Sequence, residues 1–296
     1  MLTLSGISKS FGDLRALDDV TFTVLPGRLT GFVGRNGAGK TTAMRIVLGV
    51  LAGDAGTVTL HGSPVGAADR RRFGYMPEER GLYPKMKVLD QVAYLARLHG
   101  FGKRDALDRA AAVLARLGLA ERTGDLVETL SLGNQQRAQI AAALVHDPNV
   151  LILDEPFSGL DPFAVELVAG VLQERAAAGA AVLFSSHQLD LVERLCDDLV
   201  IISDGRIRAA GDRETLRNDY SSDSYELVLA DGRDAGWIAT QPGVTGVRLT
   251  GSRAVFEAVD PDTAQRVLRR AVADAEVAGF GRVRPTLGQI FKEVVS

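Results

Sequence analysis

Apolar and polar positions along this chain follow two periods. Residues 2–4 and 21–25 form strand-like apolar runs around a polar stretch, and 30–33 is a short apolar strand leading into glycines. Residues 41–51 show the 3.6-residue spacing of a helix, and 57–60 alternate like another strand. A long helical pattern occupies 88–119, interrupted around Gly100 and Gly102. Ser131 is a good N-cap for a helix through Val145. Residues 150–153 and 181–185 are unbroken β-prone apolar runs, as expected for strands buried in a parallel sheet. Residues 190–196 read as helix, and 199–203 as a strand before the Asp204-Gly205 turn. Strands alternating with helices predict an α/β fold with a sheet covered on both faces, and the helical stretch at about 85–143 should form its own lobe.

The pattern changes near Asn218. The stretch NDYSSDS is polar and turn-rich, the composition of a linker. Beyond it, 225–230, 244–250 and 253–259 are candidate strands. A helix over 260–273 starts at Pro261, and 286–295 repeats the helical spacing. The expected organisation is an α/β domain over 1–219 and a small α+β domain over 220–296. The second domain carries no recognisable chemical site.

Composition narrows the classes. Apolar residues are 46% of 296, enough for a substantial core. The net charge of −3 argues against a chain that lives on phosphate-backbone contacts, so no nucleic-acid partner is expected. Cys196 is the single cysteine, which allows no intrachain disulfide and reads as a small buried hydrophobe. The start, MLTLSGISKSFGD, lacks the basic and apolar segments of a secretory leader, and no apolar window of about 18 residues suits a bilayer. Any membrane role would need another chain.

Three segments carry chemistry. Gly34-x4-Gly39-Lys40-Thr41 follows a strand and opens a helix, the setting a phosphate-binding loop requires. Its glycines let backbone N–H groups turn toward a phosphate at a helix N-terminus. Lys40 suits the β- and γ-oxygens, and the Thr41 hydroxyl suits Mg2+. Second, 150–153 delivers Asp154 and Glu155 to the carboxyl end of a buried strand, where ligands bind in open α/β sheets. Adjacent strand residues face opposite ways, so their roles should differ. Asp154 is placed to hold Mg2+ through water, and Glu155 to take a proton from an attacking water, a task worth about 10²–10⁴ in rate. Third, Ser131 and Gly133 begin a helix, where a hydroxyl, an N–H and the helix dipole can grip a γ-phosphate. His187 follows AVLFSS at a strand end, a position that suits a phosphate sensor; the other three histidines lack such a setting.

In this order the parts resemble the nucleotide-binding subunit of an ABC transporter over about the first 215 residues. The resemblance implies a P-loop NTPase fold, with a RecA-like core, a helical lobe and an antiparallel β lobe. It implies that Phe11 stacks on adenine and that Gly34, Asn36, Gly37, Gly39, Lys40, Thr41 and Thr42 belong to the Walker A segment. Ser131, Gly133 and Gln135 fall in the signature, Asp154 is the Walker B aspartate and Glu155 the catalytic glutamate. Asp161 closes the D-loop SGLD, and His187 is the switch histidine. Glu78 stands where a Q-loop glutamine is expected and is a candidate Mg2+ ligand. The implied cofactors are ATP and Mg2+. The implied partners are a second copy in a head-to-tail dimer and a separate transmembrane permease subunit, at the cytoplasmic face of the cell membrane.

The chain departs from the family pattern at Leu132 and Asn134 within the signature, at Arg35 where proline is common, and at Glu78. A carboxylate at Glu78 can ligate Mg2+ but cannot donate a hydrogen bond unless protonated. GYMPEERGLYPKM, DEPFSGLDP and the tail PTLGQIF are similar to the NatA-like branch that serves ABC-2-type exporters. Two other classes compete. A GTPase would need Asn-Lys-x-Asp, and the nearest string, Gly102-Lys103-Arg104-Asp105, lacks the Asn. A soluble ABC ATPase acting on nucleic acid or ribosomes would carry coiled-coil insertions or a second ATPase unit. The run Arg70-Arg71-Arg72 reads as a solvated helix end, or else as a contact for the membrane partner.

Overall fold

The computed structural model describes residues 1–79, 81–221, 223–230 and 233–295. Arg80, inside the GYMPEERGLYPKM segment, and Ser222, inside the expected linker, lie outside the described residues. The chain divides into two compact units, Met1–Arg213, which also takes in the last residues from Val294, and Glu214–Glu293.

The first unit opens on an antiparallel hairpin of β1 (Leu2–Phe11) and β2 (Leu14–Val24), which pair from Leu2↔Val24 to Phe11↔Leu14. Both strands run through the stretch that hydrophobicity left as a polar gap, because ladder hydrogen bonds hold a backbone whose side chains alternate between buried Ile7, Leu17 and Val20 and exposed polar positions. β3 (Leu29–Val33) is buried throughout and leads into α1 (Lys40–Val47). β4 (Ala55–Leu60) and the short β5 (Ser63–Pro64) complete a four-stranded sheet in the order β2-β1-β4-β5.

A one-turn helix, α2 (Ala67–Arg70), precedes β6 (Phe73–Met76). α2 resolves the arginine run. Arg70 Nε donates to the Val47 carbonyl at 3.0 Å, while Arg71 and Arg72 are exposed. The helical lobe follows as α3 (Val88–Leu98), α4 (Lys103–Arg116) and α5 (Leu132–Leu144). Ser131 caps α5, its Oγ accepting the Asn134 N–H at 3.3 Å. Then come β7 (Val150–Leu153), α6 (Pro162–Ala177), β8 (Ala181–Ser186), α7 (Leu189–Leu195), β9 (Asp198–Ser203) and β10 (Arg206–Asp212). The six-stranded sheet has the order β10-β9-β3-β8-β7-β6 and is parallel except for β10. β7, β8 and β9 are buried along their length, as unbroken apolar runs require. Phe32, Ile152, Leu183 and Ile202 join Leu4, Phe22 and Met44 in one core.

The second unit begins within α8 (Arg213–Asp219), so the polar linker expected from Asn218 begins inside a helix. Strands β11 (Ser224–Leu229), β12 (Val244–Thr250), β13 (Arg253–Ala258) and β14 (Val277–Arg282) form an antiparallel sheet in the order β12-β13-β11-β14. α9 (Pro261–Asp274) is capped by Asp260, which accepts the Thr263 N–H at 2.6 Å; α10 (Leu287–Val295) ends the chain. Leu227, Leu229, Phe256 and Val267 centre this unit's own core. Among the described residues, no helix is long and apolar enough to cross a membrane.

Candidate nucleotide-binding and catalytic site

Sheet order brings the chemistry together. β3, β8, β7 and β6 are consecutive parallel neighbours, so their carboxyl ends share one edge. Gly34 follows β3, His187 follows β8, Asp154 and Glu155 follow β7, and Glu78 lies just beyond β6. A cleft of about 630 Å³ opens in this unit, lined by Phe11, Asn36, Gly37, Gly39, Lys40, Thr41, Thr42, Glu78, Asp154 and Glu155 among others. Gly34 sits beneath the loop; a Cβ there would meet the Ile202 carbonyl at 2.6 Å. Gly39 has φ +108°, and a Cβ would lie 2.7 Å from the Ala16 carbonyl, so this turn admits glycine alone. Lys40 is buried and donates to the carbonyls of Gly34 at 2.7 Å and Arg35 at 3.3 Å, which leaves a third N–H of its ammonium.

Asp154 is 1% exposed. The Thr41 hydroxyl donates to its Oδ2 at 2.7 Å, and the Ser185 hydroxyl donates to its Oδ1 at 2.5 Å. A buried carboxylate held by hydroxyls, beside an open cleft, fits a hard divalent cation. No three His, Cys, Asp or Glu side chains gather into a metal cage among the described residues, and Mg2+ shared with phosphates needs none. Glu78 lines the cleft without joining such a cluster.

One expectation needs correction. Asp154 and Glu155 are not successive strand residues, because β7 ends at Leu153 and Glu155 has φ +52°. For a side chain other than glycine the left-handed region costs roughly 1–2 kcal/mol. Three contacts hold Glu155 there. Its N–H donates to Ser185 Oγ at 2.8 Å, while its carbonyl accepts from Gln136 Nε2 at 2.9 Å and from the Ser158 N–H at 3.2 Å. His187 Nδ1 is 3.0 Å from Glu155 Oε2, with a half-exposed ring.

The signature residues lie elsewhere and are not part of this cleft lining. Gln135 Nε2 donates to the Val127 and Leu130 carbonyls, each at 3.1 Å, so its amide nitrogen braces the segment before Ser131. Asp161 Oδ1 caps α6 by accepting the Ala164 N–H at 2.8 Å. Leu132 is 58% exposed. A Cβ on Gly133 would meet only ordinary neighbours, the Gly159 carbonyl at 3.5 Å and Leu160 Cδ2 at 3.6 Å. Phe11 is half exposed at the end of β1, with Lys9 Nζ 5.6 Å from its ring centre.

Three residues of the site carry no motif in the sequence. Ser185 stands inside an apolar strand, and a polar residue in such a run was the signal for it. Gln136 and Gln139 look like ordinary helix formers, yet Gln139 Nε2 donates to the carbonyls of Pro77 at 2.7 Å and Glu79 at 3.1 Å. Separately, His99 and His146 stack with ring centres 3.6 Å apart. Burial, then the neighbouring His99, pushes the His146 imidazole down to about 4.

A phosphate-binding loop, a buried aspartate and a strained glutamate at one sheet edge, with a serine-capped helix apart, define a P-loop ATPase of the cassette type. Known proteins agree with that geometry. The ABC transporter family profile matches residues 17–158, and the profile of the C-terminal domain of DrrA1-3-like ATP-binding proteins matches 211–295. The chain belongs to the ABC transporter ATP-binding family. It is 36% identical over 295 residues to the ABC transporter ATP-binding protein YhaQ of Bacillus subtilis, spanning 100% of this chain and 98% of that one. It is 31% identical over 271 residues to the Nod factor export ATP-binding protein I of Rhizobium sp. (strain N33), covering 90% and 89% of the two chains. A solved ATP-binding subunit of an ABC transporter superposes with a TM-score of 0.69 at 30% identity, over 74% of this chain and 93% of that one. The relatives are transport ATP-binding proteins, which sets aside the reading of a nucleic-acid or ribosome ATPase.

Proposed function

We propose that this chain hydrolyses ATP to drive an ABC exporter, paired head-to-tail with a second copy and held at the cytoplasmic face of the membrane by a separate membrane subunit. The observation that carries this is Glu155, locked in a left-handed turn beside the cleft with His187 3.0 Å away. In this reading Lys40 holds the β- and γ-phosphate oxygens with its remaining N–H. Thr41 and Asp154 would hold Mg2+, which would supply charge neutralisation at the phosphates. Glu155 takes the proton of the attacking water, and His187 orients that carboxylate. Phe11 offers its exposed ring to the base. Ser131 and Gly133 of each copy close on the γ-phosphate in the other.

Export is supported by the Nod factor export relative. An exposed aromatic surface suits a membrane subunit. Tyr83 and Tyr94, with Pro84 and Met86, line an apolar groove of about 700 Å³ in the segment that follows Glu78. The C-terminal unit is assigned a regulatory or dimer-stabilising role. Glu155→Gln should trap an ATP-bound dimer, seen by sedimentation, with negligible turnover. Wild-type turnover in that variant would rule out Glu155 as the base.

A further inference from the structure

Gln136 and Gln139 stand three residues apart on α5, so they share one face of the helix. Both are buried, at 7% and 4% exposure. Gln136 Nε2 donates to the carbonyls of Glu155 at 2.9 Å and Pro156 at 3.2 Å. Gln139 Nε2 donates to those of Pro77 and Glu79, the two residues that bracket Glu78. A primary amide has two N–H donors, and Gln139 spends both on the segment that carries a cleft carboxylate. Only the nitrogen end of the amide can face two carbonyl oxygens, which fixes its orientation. A glutamate here would set a carboxylate against two carbonyls, and an apolar side chain would release both of them.

The same helix starts at Leu132, directly after Ser131. It spans roughly 20 Å at about 1.5 Å per residue. One end therefore presents Ser131 and Gly133 outward, while buried amides along its length hold the Glu78 segment and the Glu155 turn of its own cleft.

We propose that Gln139 is a positioning residue that couples the two ATP sites of the dimer. It ties the Glu78 segment in one copy's cleft to the helix whose start serves the other copy's nucleotide. This rests on the head-to-tail reading above. A change at Glu78 on ATP binding is passed through Pro77 and Glu79 to α5, and so to the partner's site. Gln136 makes the matching link from Glu155.

Steady-state ATPase against ATP concentration tests this. The native chain should give a Hill coefficient between about 1 and 2, the limit for two sites. Gln139→Leu and Gln139→Glu should both bring it to 1 and lower kcat roughly tenfold. ATP binding to the isolated monomer should stay within about twofold. In a Glu78→Ala background, Gln139→Leu should cost less than about twofold more, because the path it serves is already cut. A native Hill coefficient of 1, or a coefficient unchanged from native together with kcat within twofold in either Gln139 variant, would overturn the proposal, as would losses that multiply fully with Glu78→Ala. Failure of the dimer itself is read separately. If Glu155→Gln with native Gln139 stays monomeric in ATP, the two-site reading falls before any Gln139 variant is made.

Discussion

Ser185 is wholly buried in β8, and its single hydroxyl serves two groups at once. It donates to Asp154 Oδ1 at 2.5 Å and accepts the Glu155 N–H at 2.8 Å. Ser185→Ala deletes both bonds without changing the strand. A hydrogen bond to a charged acceptor is worth about 1.5–3 kcal/mol, and a buried N–H left alone costs about 1–3 kcal/mol. Allowing for partial relaxation, the loss should be roughly 2–4 kcal/mol. It falls on a backbone already strained by roughly 1–2 kcal/mol at Glu155, so the turn is where the structure gives way. At about 1.36 kcal/mol per decade, kcat should drop on the order of 10²-fold. The thermal midpoint should fall by roughly 4–16 °C, using about 2–4 °C per kcal/mol for a unit of this size. ATPase turnover and differential scanning calorimetry on the same preparation measure both. A variant with kcat within threefold of native and an unmoved midpoint would refute the idea that this hydroxyl holds the catalytic turn.

Other outcomes can be checked independently. Gly133→Ala has room for its Cβ within the chain and should stabilise the fold by up to about 1 kcal/mol in urea, yet cut ATPase by about 10² or more if a partner's nucleotide closes on it; full activity would break the dimer assignment. His146, pushed down to about 4 by burial and then by His99, binds its proton in the unfolded chain first, near pH 6.5. Native stability should therefore fall as pH drops from about 6.5 to 4, by roughly 1–2 kcal/mol more in the native chain than in His146→Gln once solvent screening is allowed for; equal losses in urea titrations at the two pH values would contradict this. Cys196 is 1% exposed with its thiol pushed well up by burial, so Ellman's reagent should label it only after denaturant is added, and rapid labelling of the folded protein at neutral pH would show the packing to be wrong.

The readable parts of this chain are those where a single physical cause dominates. Residues 150–153 are apolar without a break and have no other way to be buried, so β7 matches its pattern to the residue. Ser131 was legible as a cap because its hydroxyl has a local partner. β6 was not, since Gly74 interrupts a four-residue run; its hydrogen lets the strand approach α5, where a Cβ would meet the Ala143 carbonyl at 2.3 Å. α6 was missed because Ala, Val and Leu occupy almost every side of it, leaving little helical stripe. The same limit applies in the site. Motifs named the residues that face the cleft, but Ser185, Gln136 and Gln139 act on backbone atoms brought close only by the folded sheet. No spacing along the chain encodes those contacts.

The left-handed turn at Glu155 also sets a trap for protein engineers. Glycine adopts that backbone at almost no cost, so Glu155→Gly should make the fold more robust while removing the proposed base. A library screened for solubility or heat resistance would enrich this dead variant over the native sequence. Selection for ATP turnover must be applied in every round, because at this position durability and work pull in opposite directions.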